Sequence, residues 1–283
     1  GVIEIEAQRI VRPVLNAPAF GGKEVTEVRP AIVAGDLAQL GYDPPDETAG
    51  DRFAAYEQEG WGGFRFAVYV GWRFDEDSGK TTAMWSVGST FEGNDPMAIA
   101  RERVEEALER DFDAFRNAHI EWWRAFWDRT WLRVPDQRIE RQWHLDTYKM
   151  GAAARPDAPP ISLQGPWTAD NGKLPPWKGD YHHDLNTQLT YWPCYSGNWL
   201  EGERSFVDWL WEHRENCRDW TRRFFDMPGL NAPMTTDLHG KQIGGWRQYT
   251  HSATTAAWLA HHFYLHWRYS MDREFLEQRA YPY

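Results

Sequence analysis

Hydrophobic and polar residues alternate along the first third of the chain. Residues 3–7, 64–70 and 81–87 each place apolar side chains at every second position, and Gly-rich or Asp-rich segments separate them. Alternation over four to eight residues between such turn signals is typical of antiparallel strands. We therefore predict that residues 1–94 are part of an antiparallel β-sandwich domain.

The pattern changes to a helical period after Asp95 and Pro96. Asp is a good N-cap residue and Pro fits the first helical position. From Val104 onward, apolar residues recur at spacings of three and four. This periodicity predicts a single long helix that ends near Arg129, inside a helical linker at 95–135.

The remaining residues, 136–283, keep the helical period. A helix begins near Ile139 and stops before Pro156. The same spacing recurs over 206–224, and a last long helix covers roughly 252–269. Long helices that are separated by large loops, with no regular sequence repeat, favour an α/α barrel or toroid over a solenoid. In such a scaffold the loops usually carry the site.

Composition narrows the function classes. The 283 residues hold 31 Lys and Arg against 42 Asp and Glu, a net charge of −11. Phosphate binding needs a surplus of basic residues, so nucleic acid is excluded as a partner. No run of about 18 apolar residues predicts a membrane span. Only Cys194 and Cys217 are present, which form neither a disulfide framework nor a metal finger.

Aromatic and polar side chains concentrate between about Ser162 and Asn198. Several prolines between Pro156 and Pro176 keep the first part of this region out of a helix. Trp and Tyr rings stack on the apolar face of a sugar ring, while Asp, Asn, Gln and His bond its hydroxyl groups. Apolar walls with a few placed polar groups are usual in small-molecule sites. The segment therefore predicts a carbohydrate-binding loop.

Asp184 and Asn186 are the candidate catalytic pair. In an extended segment, two residues at this spacing point to the same side. A carboxylate beside a carboxamide can hold and polarise one water molecule, the general-base half of an inverting glycosidase. The alternative that Asp180 and Asp184 are helix N-caps or turn residues stays open.

Metal and cofactor sites are not predicted. His182 and His183 precede Asp184, but no third ligand follows at the usual spacing, and the HHxxxH pattern that begins at His261 contains no HExxH. The chain contains no phosphate-binding glycine loop and no GxSxG nucleophile elbow.

The order of three motifs resembles glycoside hydrolase family 95, which holds inverting α-L-fucosidases and related α-L-galactosidases. The family patterns are LQGxW, PPW and NxNxxxNYWP, and the similar segments begin at Leu163, Pro175 and Asp184. Residues 118–129 and 236–282 are similar to further family segments. The resemblance covers the chain from about residue 64 to its end.

The resemblance implies the C-terminal part of a β-sandwich, a long linker helix and an incomplete (α/α)6 barrel at 136–283. It implies that Asp184 and Asn186 position the attacking water. Nine further residues are predicted to bind the sugar: Gln164, Trp167, Trp177, His182, His183, Tyr191, Trp192, Asp237 and Trp246. The implied partner is an oligosaccharide or glycan, and the resemblance favours a secreted or periplasmic location. It assigns no oligomeric state.

Two departures from the family pattern bear on specificity. Asp184 and Thr190 stand where the family has Asn, whereas Asn186 is kept. Asp184 is therefore expected to act more directly as a base, and the sugar is left open. The alternatives are another glycosidase of the same barrel clan (such as an α-L-rhamnosidase), an α-glucoside phosphorylase and a non-catalytic carbohydrate-binding protein.

The family's general acid is a Glu in an SPEN-like motif, and a distant Asp lies in a QIDGN-like motif. Neither motif occurs in these residues. We therefore expect the chain to be a fragment that begins within the β-domain, ends within the barrel and is inactive alone. The acid is expected after Tyr283.

Overall fold

The computed structural model describes residues 1–7, 10–18, 41–166, 179–243 and 250–283. The described residues form two compact units, one up to Trp122 and the other from Trp123 onward. In the described part of the chain, no helix is both long and apolar enough to cross a membrane.

The first unit contains one antiparallel sheet. Its strands are β1 (Val2–Glu6), β2 (Asp46–Gly50), β3 (Phe53–Glu59), β4 (Arg65–Asp75) and β5 (Lys80–Ser89), in the spatial order β1-β5-β4-β3-β2. The alternating segments thus form antiparallel strands, as predicted. One row of neighbours crosses four strands: Val2, Met84, Gly71 and Phe53.

A helix, α1 (Pro96–Leu108), packs on one face of this sheet. The predicted cap is confirmed, because Asp95 accepts the Ala98 N–H at 2.9 Å. The helix approaches very closely at Gly88, where an added Cβ would lie 2.2 Å from the Pro96 carbonyl oxygen. The core between helix and sheet is apolar: Ala55, Tyr69, Met84, Ala100 and Val104.

The described strands of the first unit form a single sheet, so the second layer of the β-sandwich stays a prediction. The sheet face opposite α1 carries partly exposed apolar side chains, among them Ile3, Trp85 and Val87. A second sheet would cover such a face.

The predicted single long helix is wrong. The structure has α1, then a break, then α2 (Phe112–Trp127). Arg73 of β4 donates to the carbonyls of Leu108 at 2.6 Å and Arg110 at 3.1 Å, so these groups are bonded outside the helix. Asp111 accepts the Asp113 N–H at 3.3 Å and starts the new helix. The apolar period continues across the break, which is why the pattern did not reveal it.

The second unit is mainly helical. Its elements are α3 (Gln137–Ala153), β6 (Tyr181–His182), α4 (Leu185–Ser196), α5 (Leu200–Glu212), α6 (Arg214–Phe225), β7 (Thr235–Thr236), α7 (Thr255–Ser270), and a last turn, Arg273–Phe275, that continues as a π-helix, Leu276–Ala280. The architecture is therefore β plus α, and the (α/α)6 barrel stays a prediction.

The repeat over 206–224 forms two helices rather than one. The chain bends at His213, which lies between α5 and α6 with φ −95° and ψ 7°. Its ring Nδ1 lies 2.9 Å from the Trp209 carbonyl, and Arg214 donates to the Trp211 carbonyl at 2.5 Å. These bonds satisfy carbonyl groups at the end of α5.

Many of the tryptophans are core residues. Phe126 stacks on Trp199 with ring centroids 5.1 Å apart, and Trp123 and Trp127 pack against Phe126. Trp122 is partly exposed. Tryptophan content alone is therefore no measure of a sugar site.

Candidate active site

Two short strands bring the candidate residues together. Tyr181 pairs with Thr236 and His182 pairs with Thr235, and the His183 N–H continues the ladder to the Met234 carbonyl at 2.7 Å. The segment 163–166 joins them, because the Leu163 N–H donates to the Asp180 carbonyl at 2.9 Å. Three predicted segments, separate in sequence, therefore meet at the start of α4.

Asp184 is the N-cap of α4. Its Oδ1 accepts the Asn186 N–H at 3.3 Å, so the pair lies on a helix start and not in the predicted extended segment. The alternative N-cap assignment is the one that the structure shows for Asp184. Its Oδ2 has no hydrogen-bond partner among the described residues. The first-turn N–H dipoles stabilise negative charge at this position.

Asn186 is exposed in the first turn of α4. Its backbone carbonyl accepts the Thr190 hydroxyl at 2.9 Å, so the residue that replaces the third family Asn bonds back to the helix. The carboxamide of Asn186 makes no hydrogen bond to any other described residue. The polar ends of Asp184 and Asn186 are thus available to a water molecule or a sugar.

Asp180 and His182 form a close pair just before α4. The Asp180 Oδ2 lies 2.6 Å from the His182 Nδ1, and their side chains are 8% and 17% exposed. The two groups are close enough for an ion pair, but the contact does not have hydrogen-bond geometry. The pair is shielded and is still reachable from solvent.

His183 belongs to the interior. The side chain is 1% exposed, and its Nε2 lies 2.8 Å from the Thr236 hydroxyl. Burial, followed by the neighbouring His182 and His262, lowers the pKa of His183 to about 3. A neutral, buried imidazole positions the β6–β7 pair, so its placement does not favour the predicted sugar contact.

Asp237 follows β7 and shapes the next turn. Its Oδ1 accepts the N–H groups of His239 and Lys241, each at 2.9 Å. Burial, with the Asp237 charge as a second cause, raises the pKa of Tyr181, which places this carboxylate near β6. Asp237 therefore lies beside the candidate site, as the predicted subsite requires.

Tyr191 and Trp192 differ in placement. Tyr191 is 0% exposed, stacks on Phe206 with centroids 4.7 Å apart, and accepts the Ile161 N–H at 2.7 Å. Its ring is therefore a core residue, because it leaves no surface for a sugar. Trp192 is half-buried, and its Nε1, like the Gln164 Oε1, is buried with no partner in the described residues.

Three predicted sugar-binding residues lie outside the described residues, namely Trp167, Trp177 and Trp246. Among the residues that are described, no group of three His, Cys, Asp or Glu side chains could hold a metal ion. His261 is exposed on α7, whereas His262 and His266 are buried and bonded to other side chains.

The sequence reasoning missed a buried polar group on three helices. Its members are Gln188, Tyr195, Glu203, His262 and His266. A signal was present, since Glu203 precedes Phe206, Val207 and Leu210 on one apolar stripe of α5. A charged residue on such a stripe predicts a buried, paired group.

Comparison with known proteins confirms the family resemblance. Residues 136–283, slightly more than half of the chain, match the model of the glycosyl hydrolase family 95 catalytic domain.

Curated relatives carry related names. The chain is similar to "Alpha-L-fucosidase 2" of Arabidopsis thaliana, with 29% identity over 146 residues, which cover 51% of this chain and 17% of that protein. It is 22% identical to "Probable alpha-fucosidase A" of Aspergillus niger over 243 residues, 74% of this chain and 29% of that protein. The chain spans less than a third of the length of either relative.

Proposed function

Because the chain belongs to glycosyl hydrolase family 95, we propose that it supplies the water-activating part of a glycoside hydrolase. The reaction removes a terminal α-L-fucosyl or α-L-galactosyl group from an oligosaccharide, with inversion. The names of the relatives support the fucoside. The secreted or periplasmic location stays a prediction.

The observation that carries the proposal is the start of α4. Asp184 holds the helix through one carboxylate oxygen and leaves the other without a described partner, and the Asn186 carboxamide, two residues later in the same first turn, is exposed. A water bound between these groups would have its proton directed to the carboxylate and its oxygen lone pair directed outward. This arrangement is what a general base needs.

The proposed step is a single displacement. The water oxygen bonds to the anomeric carbon while the glycosidic C–O bond breaks, and the water proton passes to Asp184. A second carboxylic acid gives its proton to the leaving oxygen. In inverting enzymes the two carboxyl groups stand about 6.5–9.5 Å apart, which leaves room for the water. We expect that acid outside these 283 residues.

The sugar is proposed to lie against the shielded polar groups beside Asp184. The Asp180–His182 pair offers an imidazole beside a carboxylate, and Asp237 offers a second carboxylate. The Gln164 amide oxygen and the Trp192 Nε1 are buried without described partners. Buried polar atoms are normally bonded, so unpartnered ones support a ligand contact.

The experiment uses the intact protein that carries this chain, with an aryl α-L-fucoside and the matching α-L-galactoside. We expect hydrolysis of at least one of them, and NMR of the first-formed sugar should show the β-anomer. A first-formed α-anomer would contradict inversion. Turnover that requires phosphate would indicate a phosphorylase, and glycan binding without turnover would indicate a carbohydrate-binding protein.

A further inference from the structure

The core of the second unit contains a continuous row of polar side chains. Gln188 and Tyr195 come from α4, Glu203 from α5, and His262 and His266 from α7, and each is at most 4% exposed. A burial this deep requires that each polar atom be bonded.

The contacts in this row are short. The His262 Nε2 lies 2.6 Å from the Gln188 Oε1, and the His262 Nδ1 lies 2.7 Å from the Tyr195 hydroxyl. The same hydroxyl lies 2.8 Å from the Glu203 Oε1. The Glu203 Oε2 lies 2.7 Å from the His266 Nδ1.

Counting protons along the row fixes its direction. The Gln188 Nε2 faces the His183 carbonyl at 3.5 Å, so the amide oxygen faces His262 and needs a donor there. A neutral imidazole has one N–H, so the proton of His262 is on Nε2 and its Nδ1 is an acceptor. The single proton of the Tyr195 hydroxyl is then donated to that Nδ1.

The proton count then assigns the donor in the contact between Tyr195 and Glu203. An ionised carboxylate would accept the Tyr195 proton there, but a hydroxyl that has given its proton to His262 needs a proton from the Glu203 Oε1. We propose that Glu203 is held as a protonated carboxylic acid, and that the one-directional row from Glu203 through Tyr195 and His262 to Gln188 fixes the rotation of α4.

The surroundings of Glu203 fit a neutral acid. Burial is the largest cause that raises its pKa, and it outweighs the bond from His266. The titratable groups around it are Tyr195 and Cys194 on α4 and His266 on α7, and Arg204 follows it on α5. Arg204 is partly exposed and pairs with Asp208 at 3.3 Å.

The row matters because of what α4 carries. Gln188 and Tyr195 lie on its buried side, while Asp184 and Asn186 stand at its N-terminal end. Fixing the rotation of the helix fixes where that pair points. The positioning residues are therefore Glu203, Tyr195 and His262. Their positioning role rests on the proposed function. The protonation of Glu203 is independent of that function.

The test compares wild-type intact protein with Glu203→Gln, whose amide N–H₂ donates to Tyr195 as the acid does. The infrared difference spectrum at neutral pH should contain the carbonyl stretch of a protonated carboxylic acid that the variant lacks. Glu212→Gln, on the exposed end of the same helix, is the control and should remove no such band. Absence of this band from the difference spectrum between wild type and Glu203→Gln would overturn the proposal.

Thermal unfolding gives a second readout. A folded pKa that is raised above the ordinary 4.5 makes the contribution of Glu203 greatest below that pH and weaker as pH rises. The difference in thermal midpoint, Glu203→Gln minus wild type, should therefore increase by about 2–4 °C between pH 5 and pH 7. A variant that becomes relatively less stable over this range would show an ionised Glu203 paired with a protonated His266.

Activity tests the positioning role separately. Glu203→Gln should keep kcat within about twofold, while Glu203→Leu, which leaves Tyr195 without a donor, should lower kcat about tenfold or more with little change in KM. Equal kcat in the two variants would overturn the positioning role. If the intact protein has no glycosidase activity, the infrared and thermal results still decide the protonation of Glu203.

Discussion

The two units of the molecule bury different kinds of side chain. The core between sheet and helix is apolar, and among the described residues up to Trp122 no His, acid or base is buried. The second unit buries His183, Glu203, His262 and His266. The core between helix and sheet in the first unit is therefore apolar, whereas the core of the second unit contains groups whose protonation states affect its stability.

The difference between the two cores indicates that the proposed chemistry belongs to the second unit. Charged pairs of the first unit lie near the surface, such as Arg65 with Glu57 at 2.5 Å and Lys80 with Glu4 at 2.9 Å. Buried polar groups are costly unless every one is bonded. The buried polar groups of the second unit are concentrated around α4, whose first turn carries Asp184 and Asn186. This concentration indicates that the second unit fixes the orientation of α4.

The largest expected stability effect is at the polar row. Tyr195→Phe leaves the His262 Nδ1 and the Glu203 carboxyl without their shared partner, and should lower the free energy of unfolding by about 2–3 kcal/mol. Denaturation followed by tryptophan fluorescence reports the second unit, because most of the 18 Trp lie from Trp122 onward. Tyr264→Phe, on the exposed side of α7, is the control and should change little.

A packing change in the first unit should have a somewhat smaller effect. Gly88→Ala places a Cβ 2.2 Å from the Pro96 carbonyl oxygen, so α1 has to move away from the sheet. We expect the free energy of unfolding to decrease by about 2 kcal/mol, as measured by chemical denaturation followed by circular dichroism. Ser86→Ala on the same strand is the matched control. A loss no greater than in that control would contradict the close approach.

Acid should weaken the second unit selectively. Burial lowers the pKa of His183 and His262 to about 3, below the ordinary 6.5, so their contribution is complete above pH 6.5 and is lost as pH falls toward 3. For each histidine that is neutral in the folded state, the free energy of unfolding decreases by up to about 1.4 kcal/mol for every unit that the pH falls within this window. Tryptophan-detected midpoints between pH 7 and pH 5 measure the slope in Glu203→Gln, where the opposing contribution of Glu203 is removed. A flat profile in that variant would contradict the neutral, buried imidazoles.

The smallest effect belongs to a surface pair of the first unit. Lys80→Met removes the partner of Glu4, and the pair is partly exposed. We expect the free energy of unfolding, measured by chemical denaturation, to change by less than about 1 kcal/mol, and by less in high salt. A loss as large as that of Tyr195→Phe would remove the contrast between the two units.

Some of the fold follows directly from the sequence. Alternation identifies β4 and β5 because one strand face is buried, and Asp95 with Pro96 identifies the start of α1. The breaks at Arg110 and His213 are invisible in the apolar period, since it continues through both. At the first break, Arg73, distant in sequence, binds the carbonyls of Leu108 and Arg110. At the second, the local side chains of His213 and Arg214 bind the carbonyls at the end of α5.

The candidate site follows in part. Residue types and motif order predict Asp184 and Asn186 at its centre, and the family match covers both residues. The extended conformation was wrong because Asp184 satisfies a free N–H at the start of α4. Tyr191 was assigned to the sugar by its motif, but only the fold reveals that its ring stacks inside on Phe206.

The central claim is that Asp184 acts on the attacking water. It is tested most directly by Asp184→Asn in the intact protein, with Asp219→Asn on the exposed side of α6 as the control. We predict that kcat on the better aryl glycoside falls by about a hundredfold or more, that KM changes only slightly, and that the control keeps full activity. A decrease in kcat of only a few-fold would contradict the role of Asp184 as the base.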